Sequence, residues 1–395
     1  MCVVGLGYIG LPTASLLAAR GHRVHGCDVS PRIVETINRG DIHIVEPDLD
    51  ILVKSGVASG NLEAHLEPVA ADVFLIAVPT PLGVERQPDL KAVESAARAI
   101  APVVKAGDLV ILESTSPVGT TEEIVGRILE EAGHAVGETV HLAYCPERVL
   151  PGRILTELIE NDRVVGGVTD SSTDKAVAFY ERFVRGEVLA TNARTAEMVK
   201  LAENSFRDVN IAYANELSMV CGRHGVSVWE LIRLANRHPR VDILQPGPGV
   251  GGHCIAVDPW FLVHGAPEET RLIQAARDVN DHKPAWVIER VRSCAARVKD
   301  PVIACLGLSF KADVDDLRES PAVEIVERLA AEELGELLVV EPHLSGHEEF
   351  TLCSLEDALE RADIVLVLVD HRAFKRIPRE VLHEKILIDT RGLYR

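Results

Sequence analysis

CVVGLGYIGLPTASLLAARGHRVHGCD, residues 2–28, decides how the first half of this chain is read. A short apolar run leads into Gly5-Leu6-Gly7-Tyr8-Ile9-Gly10, and the glycines open the helical pattern of IGLPTASLLAAR. HRVHGCD (22–28) then reads as a second strand ending on Asp28. Glycines between a strand and a helix permit a tight turn and let a pyrophosphate approach the helix N-terminus, where free N–H groups and the dipole favour anions. Asp28 lies at the distance expected of a carboxylate that accepts the ribose hydroxyls. It would also repel a 2′-phosphate, which favours NAD over NADP.

Working outward, apolar runs ADVFLIAVP (71–79), DLVILEST (108–115) and VHLAYCP (140–146) alternate with helical patterns, as in a parallel α/β sheet. The first strand begins almost at Met1, so the chain start reads as shortened relative to an ordinary βαβ unit. Residues 194–222 form one long helical pattern, with Gly222 and Gly225 expected to end it. VSVWELIRLANRH, a glycine-rich stretch and a helix from about 268 to 296 complete a helical middle. From 301 the α/β pattern restarts through PVIACLGLSF, ELLVVEPH, ADIVLVLVD and KILIDTRG, with a helix at 321–333. The expected fold is therefore α/β: an N-terminal Rossmann-type parallel sheet over 1–190, an all-helical central domain over 191–296, and a smaller Rossmann-like parallel sheet over 297–395. Ligands of open sheets bind beyond the carboxyl ends of the strands, which directs the search for a site to the cleft between the two sheets.

Composition excludes several classes. With 60 acidic against 41 basic residues the net charge is −19, unlike a nucleic-acid surface or a polybasic membrane anchor. No apolar run reaches the 18–20 or so residues a membrane span needs. The apolar N-terminus lacks the basic flank of a signal peptide. Eight cysteines are scattered without a C-x-x-C pair or zinc-ligand spacing, so no metal is expected, and reduced thiols in a cytoplasmic protein are.

Polar residues stand where strands would end: Thr80 in Pro79-Thr80-Pro81, and Thr115 in Ser114-Thr115-Ser116-Pro117. Both are expected to touch the cofactor. Lys200 and Asn204 are four apart on the long helix, with Arg207 a turn further on. Such a pair can steady a developing alkoxide, though taken alone it reads as a solvated helix face. VDILQPGPGVGGHCIAVDPW (241–260) shifts that balance, because four glycines allow the backbone to wrap closely and end in Cys254. A thiol there can attack an aldehyde, and hydride loss from the thiohemiacetal leaves a thioester for water to cleave. Asp258 is placed to position groups for that cleavage.

With these motifs in order, GLGYIGLPTA, STSPVGTT, CPERVLPGRI, AEMVKLAENSFRDVNIAYANE, GPGVGGHCIAVDPW and FKADVDDLRESP, the whole chain resembles the UDP-glucose/GDP-mannose dehydrogenase family. Its members oxidise a sugar C6 alcohol to a carboxylate with two NAD, and the resemblance implies that 1–190 is the NAD-binding domain, 191–296 the central helical dimerisation and catalytic domain, and 297–395 the C-terminal UDP-sugar-binding domain. The resemblance implies Cys254 as nucleophile, Lys200 as acid/base and oxyanion-stabilising group, and Asn204, Asp258 and Glu147 in support. It implies NAD contacts at Gly5, Gly7, Tyr8, Ile9, Gly10, Asp28, Thr80, Thr115 and Arg318. Substrate contacts are implied at Arg148, Val149, Lys200, Asn204, Arg207, His238, Arg240, Gly251, Phe310, Lys311 and Arg391. In relatives the HPR arginine, here Arg240, reaches across a dimer, so a homodimer or higher homo-oligomer is expected. CPERVLPG and NRHPRVDILQPGPGVGGHC most resemble the branch acting on UDP-N-acetyl-D-mannosamine. Cys145 and Pro151 depart from the UDP-glucose pattern, which has asparagine and a second glutamate there. UDP-N-acetyl-D-glucosamine is the competing substrate. A two-electron β-hydroxyacid dehydrogenase shares the glycines and the Lys-x-x-x-Asn pair but lacks both the cysteine loop and the second sheet. A non-catalytic NAD-binding regulator would need none of Cys254, Lys200 and Asn204.

Overall fold

The computed structural model describes every residue except His253. It divides into two compact units, Met1–Glu203 with Trp260–Gly265, and Asn204–Pro259 with Ala266–Arg395.

The first unit is built on eight strands: β1 (Cys2–Val4), β2 (Val24–Cys27), β3 (Leu62–His65), β4 (Val73–Ile76), β5 (Leu109–Leu112), β6 (His141–Tyr144), β7 (Arg163–Gly167) and β8 (Val188–Asn192). They lie in the order β3-β2-β1-β4-β5-β6-β7-β8. Neighbouring residues of one strand go to opposite faces. Val3, Leu75, Ile111 and Ala143 enter one core. Cys2, Val4, Phe74, Ile76, Val110, Leu112, Leu142 and Tyr144 enter the other. A sheet covered on both faces needs strands apolar on both, which is why these strands read as unbroken hydrophobic runs.

The expectation of a wholly parallel sheet needs one correction, since β6 and β7 pair antiparallel. Three strands also escape the hydrophobic pattern. β3 (LEAH) carries an exposed glutamate, β8 (VLATN) is largely exposed, and β7 (RVVGG) contains two glycines. Those glycines are dictated by packing. A Cβ on Gly166 would stand 2.2 Å from the Asn192 carbonyl oxygen, and one on Gly167 would stand 2.3 Å from the Thr173 nitrogen.

In the second unit β9 (Val302–Leu306), β10 (Glu336–Val340), β11 (Ile364–Val367) and β12 (Ile386–Asp389) form an all-parallel sheet in the order β10-β9-β11-β12. Ile303, Cys305 and Leu366 face one core, and Ala304, Leu306, Val365 and Val367 the other. The long helix spans Ala193–His224. Gly222 lies inside it rather than ending it, because its missing side chain admits the Trp286 ring, 3.3 Å from where a Cβ would be. The stop comes at Gly225, whose φ of +67° is the left-handed conformation that closes helices. The next helix, Val228–Ala235, starts under a Ser227 hydroxyl that accepts from the Glu230 N–H. Arg271–Ala295 packs back on the long helix through a buried ion pair. Arg277 Nη1 donates to Asp208 Oδ1 at 2.7 Å, with both side chains sealed from solvent.

Burial raises the Asp208 carboxyl above its usual range, and Arg277 and Asn280 only partly offset this. Losing Arg277 would strand that carboxylate. We expect Arg277→Met to destabilise the second unit by about 3–5 kcal/mol, read as a lowered unfolding midpoint in calorimetry. An unchanged midpoint would show that the pair contributes no net stability.

Candidate active site

The turn after β1 shows why the three glycines stand where they do. A Cβ on Gly10 would fall 1.8 Å from the Gly5 carbonyl oxygen, so the helix Gly10–Ala19 can start against the strand only with glycine there. Gly7 has nothing within 4 Å of its absent Cβ, which leaves its backbone open to a ligand. The Asp28 carboxylate accepts from the Leu6 N–H at 3.0 Å and from the Ser30 N–H at 2.9 Å, fixing the acidic group beside the turn. Tyr8 and Ile9 occupy the turn itself. The ends of β4 and β5 are stitched together: Thr80 Oγ1 donates to the Thr115 carbonyl at 2.7 Å, and Ser114 Oγ accepts from the Val78 N–H at 2.9 Å. An open glycine, a helix N-terminus and a carboxylate at the neighbouring strand end fit a dinucleotide. Residues 5–10, Asp28, Thr80 and Thr115 are the groups that would hold it.

Beyond β6 the chain carries Glu147, Arg148 and Val149. Sequence reasoning took Glu147 as a catalytic carboxylate. Its side chain is buried, with Oε2 accepting from Arg163 Nη1 at 2.6 Å and Oε1 from the Arg148 N–H at 2.7 Å. Its backbone carbonyl takes the Lys200 ammonium at 2.9 Å. Lys200 is therefore buried and oriented rather than part of a solvated face, and so is Asn204. Arg148, expected at the substrate, is engaged by Glu203 at 2.7 Å and by the Asp162 carbonyl.

Behind Glu147 lies Glu113, fully buried and bonded to the Tyr180 hydroxyl at 2.7 Å. Burial pushes Glu113 up to about 7, the Glu147 charge adds to this, and Arg163 opposes it. Three anchoring side chains had no sequence signature. Arg163 grips Glu147. Glu197 accepts from the Gly119 and Thr121 N–H groups and the Thr121 hydroxyl. Glu46 accepts from the Gly152 and Ile154 N–H groups, holding the loop after Val149. Each acts across 76 or more residues of sequence, apart from Arg163, whose partner is 16 residues away.

In the second unit the glycine-rich stretch has a different reason from wrapping a ligand. A Cβ on Gly251 would meet the Glu319 carbonyl oxygen at 2.4 Å and Phe310 Cβ at 2.9 Å, and one on Gly252 would strike the Phe310 ring. The Gly252 N–H donates to the Arg318 carbonyl at 3.1 Å. These glycines let the loop lie flat on residues 310–321, which brings Gly251, Phe310 and Arg318 together. Cys254 is exposed, while Cys2, Cys27, Cys145, Cys221 and Cys305 are buried. The Cys254 carbonyl accepts from the Asp258 N–H at 2.8 Å, where the helix Asp258–Gly265 begins. Buried Asp258 in turn accepts from Asn204 Nδ2 at 2.5 Å. Cys254, Asp258 and Asn204 thus form one connected group.

Phe310 and Lys311 sit on a turn held by Ser309 Oγ, which donates to the Lys311 carbonyl, and by the Phe310 N–H on Asp316. Asp313, His343 and His371 lie close enough to hold a metal ion. His371, however, already accepts the Asp313 N–H at Nδ1 and faces Glu341 at Nε2, so both ring nitrogens are committed to the turn. Arg318 pairs with Asp316 at 2.6 Å and Arg391 with Asp370 at 2.9 Å. His238 and Arg240 are exposed just after the helix Val228–Ala235, and Arg207 is exposed on the long helix.

Three family descriptions match in succession: the UDP-glucose/GDP-mannose dehydrogenase NAD binding domain over residues 1–184, its central domain over 194–282 and its UDP binding domain over 304–395. The chain is 58% identical to an NDP-N-acetyl-D-galactosaminuronic acid dehydrogenase of Ralstonia solanacearum, covering 99% of this chain and 95% of that one. It is 55% identical to the UDP-N-acetyl-D-mannosamine dehydrogenase of Escherichia coli K12, covering 100% and 98%. The solved UDP-D-ManNAc dehydrogenase of Pyrococcus horikoshii superposes with a TM-score of 0.92 at 42% identity, over 100% of this chain and 96% of that one. Matched from end to end by the domains of one family, this chain belongs to the UDP-glucose/GDP-mannose dehydrogenases and, with them, uses NAD.

Proposed function

We propose that this protein oxidises the C6 alcohol of UDP-N-acetyl-D-mannosamine to the carboxylate, through an ester-level intermediate on Cys254. The observation that carries the covalent route is the group formed by Cys254, Asp258 and Asn204: an exposed thiol on a residue whose carbonyl takes the Asp258 N–H, while the buried Asp258 carboxylate accepts from the Asn204 amide. Bound NAD supplies a hydride acceptor for each of two oxidations. The alcohol first loses a proton and a hydride to give an aldehyde. The Cys254 thiolate adds to its carbonyl carbon, forming a thiohemiacetal whose oxygen carries charge. A second hydride loss leaves a thioester, and water cleaves it to the acid and the free thiol. Lys200, aimed by the Glu147 carbonyl, stabilises the charged oxygen, and Asn204 and Asp258 orient the attacking water. Arg207, His238, Arg240, Gly251, Phe310, Lys311 and Arg391 make the substrate contacts. Arginine suits bidentate grip of the diphosphate, and lysine acts as a point charge.

The mannosamine assignment rests on the end-to-end match at 55% identity and on the CPERVLPG motif. The 58% match to the galactosaminuronic acid enzyme favours the galacto sugar as a second reading. Assays with UDP-N-acetylmannosamine, UDP-N-acetylgalactosamine, UDP-N-acetylglucosamine and UDP-glucose side by side decide between them. We expect the highest kcat/KM for the mannosamine sugar, with two NADH formed per sugar and little free aldehyde. A ratio of one NADH would overturn the four-electron reaction itself.

Cys254→Ser should stop acid formation by about 1000-fold or more, because a hydroxyl is a far weaker nucleophile than a thiolate at neutral pH. Acid production near the parent rate would remove the cysteine from the mechanism.

We also propose a homodimer through the long helix. Phe206, Tyr213 and Val220 repeat at seven-residue spacing and are 69%, 53% and 49% exposed, the pattern of a seam that meets a second helix. Arg240, exposed and with no carboxylate partner among the described residues, is free to reach a neighbouring subunit. Light scattering should give twice the chain mass, and Tyr213→Glu should shift it to monomer. A monomeric parent protein would exclude this arrangement.

A further inference from the structure

A cavity of about 360 Å³ lies in the second unit, with Gly247, Asp389 and Thr390 on the wall nearest Arg391 and none of the residues assigned to the substrate among its lining. The long helix contributes Ser218, the helix Arg271–Ala295 contributes Lys283, Trp286 and Arg290, and Trp229 and Arg395 close it. Lys283 is 2% exposed. Its ammonium donates to the Ser218 hydroxyl and stands 3.9 Å over the Trp286 ring. No carboxylate meets it among the described residues. Arg290, 5.0 Å over the same ring, and Arg395, 5.2 Å over Trp229, have no carboxylate partner there either.

That grouping is anomalous in a chain whose acidic side chains outnumber basic ones 60 to 41. A buried ammonium needs a counter-charge or must give up its proton. Asp389, the one acidic side chain on the cavity wall among the described residues, does not serve. Its Oδ1 accepts from the Arg391 and Gly392 N–H groups and its Oδ2 from the Tyr394 N–H. Tyr394 is neutral, its hydroxyl donating to the Phe374 carbonyl and raised to about 12 by burial. The tryptophan faces already carry cations, so the cavity offers positive charge rather than a platform for ring stacking.

We propose that this cavity binds a small doubly charged oxyanion of the sulfate or phosphate class, with Lys283 as its buried cation and Arg290 at the mouth. Burial lowers the Lys283 amine to about 7, with Arg290 adding to the shift. Only the ammonium form holds the anion, so affinity is full below pH 7 and falls as pH rises through that value. Arg290 and Arg395 are the other cationic side chains facing the cavity, and Asp389 is bonded to its three N–H groups.

Sulfate is the probe, because it does not titrate in this range. Two of the three tryptophans line the cavity, so intrinsic fluorescence reports on it. Sulfate titrated against chloride at constant ionic strength should give a saturable signal. The affinity should drop about tenfold per pH unit above 7. Lys283→Met should weaken binding at least tenfold while leaving KM for the UDP-sugar unchanged, and Arg290→Gln, at an exposed position, should weaken it less. A linear titration, or one unaltered by Lys283→Met, would overturn the proposal. Loss of the signal in Lys311→Ala or Arg391→Ala, with Lys283→Met still binding, would place the anion in the diphosphate contacts and overturn it equally.

Discussion

Glu147 is held at both carboxylate oxygens, by the Arg163 guanidinium and by the Arg148 N–H, and the aim of its peptide carbonyl follows from that grip. The carbonyl receives the Lys200 ammonium, so the lysine's place depends on a buried ion pair formed one strand away. A buried pair of this kind contributes little net stability, because desolvation offsets attraction, but it is severe when broken. Its value here is geometric. Arg163 opens β7, the strand that turns antiparallel to β6, and that reversal brings the guanidinium to the segment just past β6. Glu113 completes the arrangement. With two carboxylates near one guanidinium, the one bonded to Tyr180 is pushed toward neutrality, and Glu147 keeps the arginine.

The second unit solves a related problem with missing side chains rather than charges. Gly251 and Gly252 press backbone against the Glu319 carbonyl and the Phe310 ring, at separations no Cβ permits. The thiol of Cys254 follows directly, on a turn whose carbonyl is bonded by Asp258. A loop so tightly seated can present a nucleophile without a large entropic loss on each turnover. The same close packing supplies the reason for glycine that the sequence alone assigned to a ligand.

Much of this was legible in sequence because it rests on local rules. The strand–glycine–helix order of residues 2–20, the long helix and the four apolar strands after 301 each follow from periodicity and glycine placement within a short window. β3, β7 and β8 escaped because their composition answers to neighbours: an edge position, an exposed face, and backbones that crowd Gly166 and Gly167. Gly222 misled for the same reason, since its small size serves Trp286 and not a helix end.

The site divides along that line. Cys254, Lys200, Asn204 and Asp258 were visible because their residue types and spacing already state a chemistry. By itself the sequence determined the fold class and the cofactor turn, and it singled out the groups proposed to react, all from patterns a few residues long. Only the tertiary structure decided that Glu147 is an anchor gripped by Arg163, that Glu46 and Glu197 hold loops more than 70 residues away, and that Lys283 is buried beside a cavity with no carboxylate paired to it among the described residues. Hydrogen bonds and burial between distant segments depend on where the chain returns in space, and no periodicity records that.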